Sequence, residues 1–344
     1  MLDYDLFRQM LERDSTSGRE RAFSEWLAGL IVTPGAVLER FEVGDGTQNL
    51  LLRWGTPEVV FCTHMDTVPP YFPPTFETDE AGRVRRILGR GSCDAKGQLF
   101  AMLSACRRLA DSGLSGFGLL LVSGEETGSW GAKAFAKTAF RSSYLIVGEP
   151  TDNRMVSASK GTKSYDLRFT GEAFHSGYPE AGLSAVDLFH RFYSLLSAVD
   201  FGEDPLLGKT TWNVGLLRSD NPQNILSPEL TCRLYFRTTF VSDAAVEEWM
   251  AAAPDLMDGR LTVTARGGDT PARYLTLEGF ESAPVAFGSD APHLTNFAHK
   301  AICGPGSILT AHRDDEQILA SDLEKAVDQY VAIFHRLAES GRDL

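Results

Sequence analysis

VVFCTHMDTVPP, Val59 to Pro70, decides how this chain is read. Val59, Val60, Phe61 and Cys62 form a short apolar run rich in β-formers, so the segment opens as a strand. It ends in a polar tip, His64-Met65-Asp66, closed by Pro69-Pro70. Residues two apart on an extended chain point the same way, so His64 and Asp66 can share one side of the strand end. A metal-binding histidine commonly donates its other ring N–H to a carboxylate, which fixes the tautomer. The triplet fits such a pair. It fits a surface turn with a solvated acid equally well, and the flanking sequence must separate the two.

Upstream, Leu6, Met10 and Leu11 predict a short helix. Ser17 and Glu20 have capping-box spacing for a second helix carrying Phe23, Trp26, Leu27 and Leu30. Strands follow over Val37–Val43 and Leu50–Trp54. Downstream, residues 69–92 read as a long connection rich in proline, and such loops are often functional. In RGSCDAKGQ, Asp94 lies in a glycine-flanked turn before a helix over Leu99–Ala110. The strand GLLLVSG (118–124) ends at Glu125-Glu126. A helix over Gly131–Phe140 leads to the strand YLIVGE, ending at Glu149. Apolar strands alternating with helices predict a mainly parallel α/β sheet. In such sheets, sites lie at the carboxyl ends of the strands, where His64, Glu125, Glu126 and Glu149 are found.

The pattern changes near residue 160. KSYDLRFTG alternates like a half-buried antiparallel strand. A helix (184–199), strands (211–217 and 229–240), a helix (244–257) and a strand (261–267) follow. This β-α-β-β-α-β order predicts an inserted α+β sandwich. The expected domains are 1–159 with 272–344, and the insert 160–271. Strand-and-loop patterns resume at PVAFGSDAPHL and KAICGPG. SILTAHRDDEQI carries His312 and leads to a final helix (321–338) with Leu323, Val327, Tyr330, Val331 and Phe334 on one face.

The chain has 344 residues and a net charge of −13, with no basic cluster, which argues against a nucleic-acid partner. Its five cysteines are scattered without a CxxC, as expected of reduced thiols in a cytoplasmic protein. No apolar run approaches the ~18 residues of a membrane span. The N-terminus lacks the basic start and apolar core of a signal peptide.

His64, Asp94, Glu125, Glu126, Glu149 and His312 form the chemical constellation. Imidazole plus carboxylate without thiolate suits zinc or a similar divalent ion at an open site. Two histidines and three carboxylates suit two metals bridged by one carboxylate. Such a pair can share a water, lower its pKa and polarise a carbonyl. A nearby carboxylate that is not a ligand can then move the proton. An adjacent Glu-Glu supplies both kinds, although Glu-Glu is more often simply solvated.

THMDTVP, GRGSCDAKG, SGEETGSWGA and VGEPTD, with the late His312, resemble the di-zinc amidohydrolases. That family includes acetylornithine deacetylase, acetylcitrulline deacetylase, succinyl-diaminopimelate desuccinylase and glutamate carboxypeptidase. The resemblance implies two divalent ions, zinc or alternatively cobalt, bridged by Asp94. His64 and Glu149 would complete one metal site, and Glu126 and His312 the other. Glu125 would be the general base, Asp66 would orient His64, and the Asp94–Ala95 peptide would be cis. The insert would be a lid and dimerisation domain of a homodimer, with His175 holding the scissile carbonyl oxygen in the partner's site. Asn224, Arg237, Lys160 and Ser289 match substrate-contacting positions, Arg237 with Lys160 for a carboxylate. Pro292-His293 departs from the family pattern and leaves the substrate open. The expected activity is deacylation, foremost deacetylation, of a small N-acyl amino acid with a free carboxylate. The alternative is a dipeptidase or carboxypeptidase, and a more distant one is a non-catalytic metal-binding protein. A related di-zinc aminopeptidase is disfavoured by the insert.

Overall fold

The computed structural model describes residues 2–44 and 46–340; Asp45 in the GDGTQN loop lies outside the described residues. The chain divides into two compact units. The larger comprises Met1–Ser157, Tyr274–Ala283 and Ser289–Leu344. The smaller comprises Ala158–Arg273 and also Pro284–Gly288, which the sequence reading assigns to the larger.

The larger unit is built on a six-stranded sheet in the order Val37–Gly44, Thr47–Trp54, Phe117–Val122, Val59–His64, Ser142–Val147, Phe297–Ile302. The last four strands run parallel; Thr47–Trp54 pairs antiparallel with Phe117–Val122 and with the edge strand Val37–Gly44, so the sheet is mainly parallel, as the alternating pattern predicts. Every residue of Val59–His64 and Phe117–Val122 is buried. That is why these strands read as unbroken apolar runs: helices cover both faces of a parallel sheet. Phe61 meets Tyr330 of the terminal helix Ala320–Ser340 edge to face, with ring centroids 5.5 Å apart. The register pairs His64 with Val122 and Cys62 with Val147. Strand ends in register bring the residues that follow them to one edge of the sheet.

Local expectations fail where a side chain has another partner. The second helix is Glu20–Ala28, and Arg19 at its N-cap position makes no side-chain capping bond. Ser17 donates instead to Asp66 Oδ2 at 2.8 Å, so the capping-box reading is wrong. Leu30 lies beyond the helix end and is exposed. The helix expected over 131–140 stops early, at Trp130–Phe135. The proline-rich connection is not structureless. Val84–Leu88 pairs with Thr75–Thr78 on one side and Gln317–Leu319 on the other in a three-stranded sheet, and the Pro69–Pro70 bond is cis.

The smaller unit has an antiparallel sheet in the order Thr211–Arg218, Glu229–Thr238, Gly161–Thr170, Leu261–Gly267. Helices Ala185–Ser197 and Asp243–Leu256 contribute Phe192, Leu196, Val246 and Met250 to its core, against Phe169, Leu234 and Phe236. The chain order is the β-α-β-β-α-β read from the sequence. Among the described residues, no helix is long and apolar enough to cross a membrane.

Phe61 sits on the central strand, so Phe61→Ala is expected to destabilise the larger unit by about 3–5 kcal/mol. Urea unfolding followed by tryptophan fluorescence measures this. A loss under about 1 kcal/mol would mean the sheet is not the core this packing implies.

Candidate metal centre

His64 is the last residue of its strand and is 1% exposed. Its Nδ1 lies 2.9 Å from the Asp66 backbone carbonyl, which can only accept, so Nδ1 carries the proton. The Asp66 carboxylate is further away, with Oδ1 3.5 Å from Nδ1. Nε2 lies 3.0 Å from Asp94 Oδ1, so in the metal-free chain it too carries a proton and donates to that carboxylate; losing this proton would free its lone pair for a cation. Asp94 is 6% exposed, and its peptide bond to Ala95 is cis. Its other oxygen, Oδ2, lies 3.3 Å from His312 Nε2. One carboxylate therefore faces two imidazoles, one per oxygen. His312 Nε2 also lies 3.0 Å from Glu126 Oε1. His312 is about half exposed and adopts φ +62°, which costs a non-glycine residue on the order of 1–3 kcal/mol. One ligand atom each from His64, Asp94 and Glu126 fits within 4.8 Å of the others.

The Glu125-Glu126 turn is held by Asp66. Its carboxylate accepts the backbone N–H of Glu125 at 3.0 Å, the N–H of Glu126 at 3.2 Å and the Ser17 hydroxyl at 2.8 Å. Asp66 is fully buried, and burial alone would raise its carboxyl; the His64 ring and these donors outweigh that and hold it below the ordinary range. Asp66 thus braces two further residues of the constellation as well as His64.

The remaining acids are crowded. Glu149, two residues past its strand, is 5% exposed, and its Oε1 has no hydrogen-bond partner. Burial, then Glu125 and Asp94, push its carboxyl well above the usual range. Glu125 is raised well above it by burial, with Asp290 and Glu126 adding to the rise. Glu126 is also raised, chiefly by burial. Asp94 goes the other way: burial is overcome by its bonds to His312 and His64. Burial would lower His64, but Asp66 and Asp94 hold it well above its ordinary value.

Asp290 was not anticipated. It follows Ser289, is 2% exposed and leaves Oδ1 without a partner. Burial lifts its carboxyl to about 6. Ser289, 5% exposed, turns its hydroxyl oxygen toward the Ala291 N–H. Nothing in GSDAPHL marks Asp290 as enclosed, and the resemblance of that segment points to Ser289.

This acidic set suits a divalent ion. Imidazole and carboxylate donors without thiolate match zinc-like cations, and the orphaned Glu149 oxygen is a buried donor with no hydrogen bond to give up. Bound cations also relieve the mutual repulsion that raises these carboxyls.

In the smaller unit, Lys160 and Arg237 lie together. Burial, then Arg237, lower the Lys160 amine. Lys160 Nζ donates to the Lys209 carbonyl, and the Arg237 guanidinium sits 5.0 Å from the Tyr235 ring centroid. Asn224 is exposed, and its carbonyl accepts from the Ser176 N–H at 3.0 Å, joining its loop to that of His175. His175 Nδ1 accepts from the Gly177 N–H at 3.1 Å, so in the neutral ring Nε2 carries the proton.

A model of peptidase family M20/M25/M40 matches residues 60–336. A probable carboxypeptidase of Uncinocarpus reesii is 30% identical over 98% of this chain and 87% of its own length. A tripeptidase of Staphylococcus aureus superposes with a TM-score of 0.81 over 95% of both chains at 18% identity. An M20 family metallo-carboxypeptidase of Sulfolobus solfataricus superposes with a TM-score of 0.71 over 95% of this chain and 97% of its own at 17% identity.

Asp94 and Glu126 hold the His312 imidazolium, raising its pKa to about 10. In chelator-treated protein, this raised value contributes stability that is fully present below about pH 6.5 and is lost as pH rises through about 10. An NMR titration of His312 should give a midpoint near 10, moving toward the ordinary ~6.5 in Asp94→Asn. A midpoint near 6.5 in the unmodified chain would show that the imidazole does not sit between these acids.

Proposed function

Because the chain belongs to peptidase family M20/M25/M40, and so is a hydrolase of amide bonds, we propose that it is a metal-dependent peptidase of the carboxypeptidase or dipeptidase type. One observation carries the reading: the Asp94 carboxylate lies between His64 and His312, with Glu126 beside it. In this proposal two divalent ions, most simply zinc, would be held by Asp94 together with His64 and Glu149 for one and Glu126 and His312 for the other. Ions held there supply Lewis-acid polarisation of the scissile carbonyl and lower the pKa of water at the site.

The chain's own groups do the rest. Glu125 takes a proton from the attacking water and returns it to the leaving amine. His175 Nε2–H is a donor for the carbonyl oxygen as it gains charge. Lys160 and Arg237 offer paired positive charge for the free carboxylate of the substrate, with Asn224 and Ser289 as further substrate contacts. The roles of His175, Asn224, Arg237, Lys160 and Ser289, and homodimerisation through the smaller unit, rest on the resemblance of their motifs.

The sequence reading put deacetylation of an N-acyl amino acid first. The carboxypeptidase relative supports the peptidase alternative better. Both reactions break an amide beside a free carboxylate, so the catalytic groups above serve either.

Two measurements test this. A turnover panel should show dipeptides and N-blocked dipeptides cleaved at least about tenfold faster than N-acetyl amino acids, with C-terminal amides poor. Faster cleavage of the acetyl amino acids would restore the deacetylase reading. Glu125→Gln should lower kcat by about 10²–10⁴-fold with metal content unchanged. Full activity in that variant would remove Glu125 from the mechanism.

A further inference from the structure

One buried ion pair touches the centre from behind. Arg90 and Glu316 are 1% and 0% exposed, and Arg90 Nη1 lies 2.5 Å from Glu316 Oε2. The other oxygen, Oε1, accepts the backbone N–H groups of Cys93 and Asp94, each at 3.0 Å. The Glu316 carbonyl accepts the Gly89 N–H at 3.0 Å. Arg90 Nε donates to the Pro70 carbonyl at 3.1 Å, and its guanidinium sits 5.1 Å from the Phe72 ring centroid.

Stability alone does not explain this pair. Desolvating two charges costs several kcal/mol each, and an apolar pair of similar volume is often as stable. Arg90 Nη2 is also buried without a partner, which adds to the cost. What an apolar pair cannot do is accept two adjacent N–H groups at Asp94.

The geometry explains why that would matter. Glu316 lies four residues after His312. This one segment reaches Asp94 twice: the His312 ring meets its carboxylate, and the Glu316 carboxylate holds its backbone. The strand Gln317–Leu319 then pairs with Val84–Leu88, just before Arg90. A single carboxylate thereby sets the spacing between the Asp94 turn and the His312 loop.

Resting on the metal-centre reading above, we propose that Glu316, anchored by Arg90, is a positioning residue that holds Asp94 between His64 and His312 and so sets the affinity of the centre for divalent cations. It does not touch substrate or the reacting atoms.

The test is the dissociation constant for Zn²⁺, measured by chelator competition on the full chain well below its unfolding temperature. R90M/E316M should unfold near the wild-type temperature, yet bind Zn²⁺ about 10–100-fold more weakly. E316Q keeps an acceptor but loses the charge facing Arg90, and should weaken binding by about tenfold. Leu103 is fully buried in the core of the larger unit, on the helix Lys96–Asp111, so L103A should lower the unfolding temperature and leave the Zn²⁺ constant unchanged. If R90M/E316M does not fold, E316Q decides. A folded Glu316 variant with a wild-type constant overturns the proposal, as does L103A weakening binding equally, since affinity would then only follow stability. Failure of the underlying reading looks different: wild-type protein would bind no Zn²⁺, or D94N would bind it as tightly as wild type.

Discussion

Buried negative charge is the constraint on which this structure depends. Asp94, Glu125, Glu126, Glu149 and Asp290 interact with one another around the ends of buried parallel strands, with His64 and His312 offsetting them and His293 acting on Asp290. Carboxylates taken out of water and set against like charges resist ionisation, which is why most of these groups are raised. A fold retains such crowding when something positive enters, and three imidazoles fall short of balancing five acids. The parallel sheet creates the situation directly. Its register puts His64 level with Val122, and Glu149 two residues beyond Val147.

Around these groups lies a layer that fixes backbone. Asp66 accepts the N–H groups of Glu125 and Glu126, and Glu316 those of Cys93 and Asp94. Each uses one carboxylate to hold two consecutive amides of a turn bearing site residues. Ser17 completes the Asp66 arrangement from the N-terminal segment, so the first residues of the chain are tied to the site.

What the sequence revealed follows from the range of the interactions. Strands 59–64 and 117–122 were legible because burial on both faces leaves an apolar run. His64, Asp94, Glu125, Glu126 and Glu149 stood out because each ends or closely follows a strand or precedes a helix, whereas His312 lies in a loop and was picked out by the resemblance alone. Ser17 was misread because a capping box is a local pattern, while its actual partner lies 49 residues away. Glu316 was hidden in Arg313-Asp314-Asp315-Glu316, a charge run that reads as solvated; only its last member is buried. Asp290 gave no signal because nothing near it in sequence indicates that a carboxylate there is enclosed. Substrate choice was illegible for a different reason: deacylase and peptidase share every group that breaks the bond.

The central claim is that this acidic cluster is a two-ion site. Calorimetric titration of chelator-treated protein with Zn²⁺ at neutral pH, repeated in buffers of different ionisation enthalpy, tests it most directly. The account predicts two ions per chain, with protons released as His64, His312 and the raised carboxyls give theirs up to bind. Binding of one ion or none, or binding without proton release, would contradict it.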